Sequence, residues 1–305
     1  MAAILFNLIP VFALIALGSA IARLKLFSES FWPELEKLTY YILFPALLIH
    51  RLANANFESL SLSDAAIPVI TALAVTSLAT FTWQFLFKVD AADFTSVYQG
   101  AIRFNTYLAL ASVNALTGDE GLIIAAVVIA ILIPMINLLC VSVFQFMLHR
   151  QSSNPYWKTL ATNPLILGCL IGIGINLSQI ELPLIVMEWL GMLGKTALPL
   201  GLIAVGVGIK VRQMGHHWLS LISASAFKFI AMPLGFLLCA ILLEANSLIT
   251  EVLIIIAAQP TASSAYILAR QLGGNTTLMA NIISSQTLLA ILSIPLWLTI
   301  FQRLA

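Results

Sequence analysis

Apolar runs of about 20 residues recur from one end of the chain to the other, separated by short polar breaks. A helix of that length crosses a hydrocarbon core about 30 Å thick. The pattern predicts ten spans, at residues 3–22, 37–53, 65–87, 94–116, 121–147, 159–178, 187–209, 217–242, 249–270 and 277–301. Helices are the expected form, because without water each backbone amide must be satisfied within its own segment. The joining segments are mostly short, which leaves no room for an extramembrane domain.

The punctuation of the runs repeats. Pro10 and Gly18 match Pro164 and Gly172, and Pro45 matches Pro199, each pair 154 residues apart. Thr106 matches Thr261 and Gly118 matches Gly273 at a spacing of 155. Each copy holds five spans, an odd number, so the second copy must enter the membrane upside down. Inverted repeats of this kind mark secondary transporters. The expected organisation is a first five-helix repeat at 1–148, a connecting loop at 149–158 and a second, inverted repeat at 159–305. Pro68 and Pro233 sit at different depths in spans three and eight, so the copies are imperfect.

Composition agrees with this reading. The chain is 61% hydrophobic and 9% charged, too little polar surface to cover a water-soluble domain. Nine basic residues (Arg23, Lys25, Lys37, Lys88, Arg150, Lys158, Lys210, Arg212 and Arg270) fall on the side reached after span one, against Arg51 and Arg303 on the other. That bias predicts a bacterial-type cytoplasmic membrane protein with the first side in the cytoplasm and both termini outside. Span one has basic residues after it and none before, the reverse of a cleaved signal peptide, so it is expected to stay. Cys140, Cys169 and Cys239 lie within spans without pairing or metal-ligand spacing and read as packing residues. His50, His149, His216 and His217 sit at span ends, where solvation explains them.

Candidate chemistry concentrates at mid-membrane. Span four carries Gln99, Arg103, Asn105, Thr106 and Tyr107; its repeat partner, span nine, carries Gln259, Pro260, Thr261, Ser263 and Ser264. Pro260 removes a backbone donor and clashes with the preceding turn, so span nine should break or kink there. Its hydroxyl neighbours could satisfy the freed carbonyls, or the break could turn exposed amides toward a bound anion. Span four has Asn105 in the equivalent place, which tolerates a break without forcing one. Arg103, Lys195 and Lys228 fall inside spans, where a charge costs roughly 2.5–3.5 kcal/mol on insertion scales. No carboxylate lies near a span centre to pair with them, which suits an anionic substrate or lysines that stabilise the breaks. Asn281, Ser284, Ser285, Gln286 and Thr287 in span ten read first as helix-bridging groups. Pro134 and Asn137 read as a kink and its compensating amide, and Tyr40 and Tyr41 as an interfacial belt.

These segments resemble the auxin efflux carrier family of transporters, in its prokaryotic form. The likeness rests on Leu43–Leu48, Gln99–Asn105, Ile133–Asn137, Asn163–Ile166, Ala197–Leu202 and Pro260–Tyr266, in that order along essentially the whole chain. The resemblance implies an all-α membrane protein of ten transmembrane helices in two inverted five-helix repeats, with spans 1, 2, 6 and 7 as scaffold. Spans 3–5 and 8–10 would form a moving core in which the broken helices of spans 4 and 9 cross. Substrate would sit beside that crossing and move by an elevator-like shift. Plant members often carry prolines in both crossing helices and a long cytoplasmic loop; both the span-four proline and that loop are missing here.

The expected function is therefore a secondary transporter of small organic anions, such as carboxylates or auxin-like acids. Its expected substrate-binding set is Arg103, Asn105, Thr106, Tyr107, Lys195, Lys228, Gln259, Pro260, Thr261, Ser263 and Ser264. The expected partners are that anion and the lipid bilayer, with no nucleic acid; a homodimer is left open, and no cofactor is expected. A sodium-coupled bile-acid-type symporter of the same architecture is the nearest alternative, and carboxylates at the crossing would favour it. A non-transporting sensor would bind ligand without flux. An intramembrane enzyme is disfavoured, since no span centre carries a Ser-His, paired-Asp or metal-ligand arrangement.

Overall fold

A computed structural model describes residues 2–55, 62–148, 162–209 and 217–304, and all regular structure among them is helical. The expected connecting loop 149–158 lies outside the described residues, as do His149, His216, Arg150, Lys158, Lys210 and Arg212. The helices are α1 (Ala2–Leu24), α2 (Phe31–Leu38), α3 (Phe44–Ala53), α4 (Leu62–Phe87), α5 (Ala91–Ile102) and α6 (Thr106–Leu148). They continue as α7 (Pro164–Leu177), α8 (Leu184–Val207), α9 (Trp218–Ala226), α10 (Met232–Leu242), α11 (Ser247–Ala257), α12 (Ser264–Leu272) and α13 (Thr276–Leu304). Six helical stretches among the described residues are long and apolar enough to cross a membrane. One of them, Ala91–Leu148, holds both the fourth and the fifth expected spans.

Prolines and asparagines set the local geometry. A π-helical turn at Thr39–Leu43 joins α2 to α3 just before Pro45, and another at Phe227–Ala231 joins α9 to α10 just before Pro233. A proline deprives the carbonyl four residues back of its donor, and a widened turn relieves the clash. At Pro233 that carbonyl belongs to Phe229, and the Trp297 indole donates to it at 2.7 Å. Asparagines cap helix starts by accepting from first-turn amides. Asn163 accepts from Leu165 and Ile166, with Pro164 at the first helical position, and Asn246 accepts from Leu248 and Ile249.

The packing falls into two groups. α1, α3, α7 and α8 pack on one another; α4, α5 and most of α6 pack with α9 to α13. In the first group glycines let backbones touch. A Cβ on Gly18 would stand 2.1 Å from the Ile203 carbonyl oxygen, and one on Gly206 would stand 1.9 Å from that of Ile15. The Ser19 hydroxyl donates to the Gly206 carbonyl in the same seam, at 2.7 Å.

Two glycines adopt left-handed φ values, Gly118 at 66° and Gly273 at 84°. They are the two members of the 155-residue pair, and each ends the helix that follows a break. Open space surrounds a Cβ at Gly118, so its φ and ψ of 66° and −154° explain the glycine rather than crowding.

Candidate binding site at the helix crossing

α5 stops at Ile102, and helix resumes only at Thr106. α11 stops at Ala257, and helix resumes at Ser264. The two interruptions meet, and each satisfies the backbone groups that the other exposes. The Asn105 amide donates to the Pro260 carbonyl at 2.7 Å, and the Thr261 hydroxyl donates to the Gly100 carbonyl at 2.9 Å. Gln286 serves both sides: its Oε1 accepts from the Thr261 amide at 2.9 Å, and its Nε2 donates to the Gly100 carbonyl at 3.1 Å. The Gln99 amide nitrogen reaches the Ala265 carbonyl at 3.3 Å. Such closure is what allows irregular backbone at membrane depth.

Asn105 explains the break that has no proline. Its side chain accepts from the Tyr107 and Leu108 amides at 3.0 and 3.1 Å, so it caps the start of α6 in place of a continuing helix.

Beside the crossing lies a cavity of about 490 Å³, a size that suits a small ligand. Arg103, Phe104 and Asn105 form its buried wall; Thr106, Tyr107, Ser263 and Ser264 add polar edges. The facing wall comes from Tyr40 and Tyr41 of the first π-helical turn and from Asn163 and Leu165 at the start of α7. Exposed Pro33, Lys37 and Gln271 surround the mouth, with Glu36 as the single carboxylate among the described lining residues. Tyr107 stacks on Phe44 of α3, with ring centroids 4.7 Å apart, and so links the two packing groups at the edge of the cavity.

Arg103 is 8% exposed. Its guanidinium donates to Asn137 Oδ1 at 2.8 Å and, more weakly, to Ser264 Oγ at 3.4 Å. Among the described residues its Nε has no partner.

The expected site residues therefore sort into three places. Arg103, Asn105, Thr106, Tyr107, Ser263 and Ser264 line the cavity. Gln259, Pro260 and Thr261 are buried within the crossing and are absent from the cavity wall; they hold it together. Lys195 and Lys228, also expected in the binding set, stand off the wall of this cavity. Lys195 is exposed on α8. Lys228 is fully buried in the second π-helical turn, with no partner for its ammonium among the described residues. α5 and α9 run parallel, for Asp93 meets His217 and Gly100 lies against Ala224, both at a spacing of 124. The second π-helical turn packs against α5, which puts Lys228 near the depth of the break.

Several groups take places that the sequence did not assign to them. Tyr40, Tyr41, Asn137 and Asn163 are spread over three elements, and only folding brings them to one cavity. His217 is not merely solvated: its Nδ1 lies 2.6 Å from Asp93 Oδ2, while the Asn275 amide donates to Asp93 Oδ1 at 2.8 Å. Asp93 opens α5 and Asn275 precedes α13, so this cluster joins the ends of three helices on the first side.

The family model for membrane transport proteins, of the auxin efflux carrier type, matches residues 3–298. The chain belongs to that family, which is one of membrane transporters and not of enzymes, and it is an integral membrane protein. A search among curated proteins found no match.

Proposed function

We propose that this member of the auxin efflux carrier-type family is a secondary carrier of small organic anions that works by an elevator-like shift. The observation that carries the reading is the cavity beside the crossing, with a buried arginine in its wall and half-buried Glu36 as the single carboxylate among its described lining residues. The two packing groups support a scaffold of α1, α3, α7 and α8 and a moving core around the crossing. The matched breaks and the matched glycines support two inverted repeats.

With the basic side taken as the cytoplasm, both termini lie outside and the cavity opens inward. On the opposite side Arg51, at the end of α3, pairs with Asp119 beside the Gly118 turn. That ion pair ties scaffold to core where an outward opening would form, and it must part for the core to move.

One observation favours the sodium-coupled alternative: Gln99 Oε1 and Gln259 Oε1 are buried at the crossing without partners among the described residues. Neutral amide oxygens without a carboxylate make a weak cation site, so the anion carrier stands first. The test is electrical. Purified protein in liposomes on a solid-supported membrane receives malate, malonate and indole-acetate, with and without sodium. A saturable current, or isotope counterflow where transport is electroneutral, that ignores sodium is the expected result. A strict sodium requirement establishes the alternative, and ligand-induced thermal stabilisation without current or counterflow establishes a sensor.

A further inference from the structure

A second cavity, of about 590 Å³, lies where α1 of the first packing group faces α13 of the second. Phe12, Ala16, Ala20 and Arg23 line it from α1, and Leu288 and Ile291 line it from α13. Two hydroxyls reach its wall, and both are spent on backbone. Ser19 donates to the Gly206 carbonyl, and Thr287 donates to that of Ile283. The wall is therefore apolar along its length and charged at one end, where Arg23 stands in the last turn of α1. No carboxylate lines it among the described residues, and none of the described ion pairs involves Arg23.

The slot has the depth of one membrane leaflet. Phe12 and Arg23 lie on one helix with a rise between them of about 16 Å. Half of a hydrocarbon core is about 15 Å. With Arg23 at the water's edge, the end at Phe12 reaches the bilayer centre. A soluble anion would leave that apolar length uncovered, whereas an acyl chain fills it. A guanidinium at the mouth suits a phosphate, which it can hold in two-point contact. We infer that this cleft binds one anionic phospholipid, with its headgroup at Arg23 and an acyl chain between α1 and α13. The inference needs only a membrane protein, so it stands apart from the carrier reading above.

The test supplies phosphatidylglycerol and phosphatidylcholine with the same chains, in equal amounts, to protein in a neutral detergent. Native mass spectrometry then counts the lipids retained. Wild type should keep one phosphatidylglycerol in preference to phosphatidylcholine by about 5-fold, the attraction of one basic side chain. Arg23→Gln should abolish that preference. Lys88→Gln, exposed on the same side but off this wall, should leave it within about 2-fold. Ala16→Trp fills the slot with the charge intact and should release lipid of either headgroup. Arg23 and Ala16 are both exposed, so both variants should fold. Equal retention of the two lipids by wild type, or an unchanged preference in Arg23→Gln, overturns the site. Equal loss in Lys88→Gln reveals general surface attraction and overturns it as well. Full retention in Ala16→Trp would put the acyl chain outside the cleft and overturn it too.

Discussion

The two breaks at the crossing do the same work by different means. In the second half, Pro260 sits where the chain has already left α11, and the carbonyl it contributes receives the Asn105 amide. In the first half no proline stands at the break, and Asn105 starts a new helix by capping it. The difference teaches that a broken membrane helix needs its exposed backbone groups satisfied more than it needs a residue that cannot be helical. Gln286 makes the point again: a side chain from a third helix bonds the Thr261 amide and the Gly100 carbonyl, and so serves both breaks.

That comparison can be broken most severely at the shared residue. Gln286→Leu strands the buried Thr261 amide and removes one donor from Gly100, so stability should fall by about 1–3 kcal/mol. Denaturant unfolding in detergent measures it; a change near zero would mean that the crossing closes without it. Asn105→Ala removes one cap and should cost about 1–2 kcal/mol in the same assay. Because Asn105 also lines the cavity, anion uptake should fall at least about 10-fold beyond what the fraction folded accounts for.

Pro260→Ala sharpens the asymmetry. Thr261 remains bound through both its amide and its hydroxyl, so the break should persist and stability change by less than about 1 kcal/mol. A structure of the variant with α11 running straight into α12 would make proline the cause of the break after all. Lys228→Met should have the smallest effect on stability. Removing a buried ammonium without a described partner should leave the unfolding midpoint unchanged or slightly raised, by up to about 1 kcal/mol. A marked loss would show that Lys228 supports the break from behind.

Much of this fold is legible in the sequence because hydrocarbon imposes a simple rule on it. Helix covers most of each of the ten apolar runs among the described residues, six helical stretches are long and apolar enough to cross a membrane, and the proline-marked break in span nine is where the residues put it. Gly118 and Gly273 were found as a spaced pair, and their left-handed φ values give the physical reason for both. The break in span four was open because an asparagine cap is a side-chain bond, visible only once the turn exists. The π-helical turns before Pro45 and Pro233 left no pattern to read. At the site, residues next to the crossing were legible from their polarity at mid-membrane. The facing wall was not, since Tyr40 and Asn163 join it from elements far apart in sequence. Lys195 stands off this cavity, since depth along a helix does not say which face a residue occupies.

The most direct test of the central claim, that a transported anion binds in the cavity beside the crossing, is substrate protection of a cysteine placed there. Ala262 lines the cavity and is half buried. Cys140, Cys169 and Cys239 are replaced, Ala262→Cys is introduced, and maleimide labelling is timed with and without each anion. The account predicts that an anion which the protein carries slows labelling several-fold, with half-protection near its transport KM, and that an anion it does not carry leaves labelling unchanged. Labelling that is indifferent to a transported anion would contradict it and place the site elsewhere.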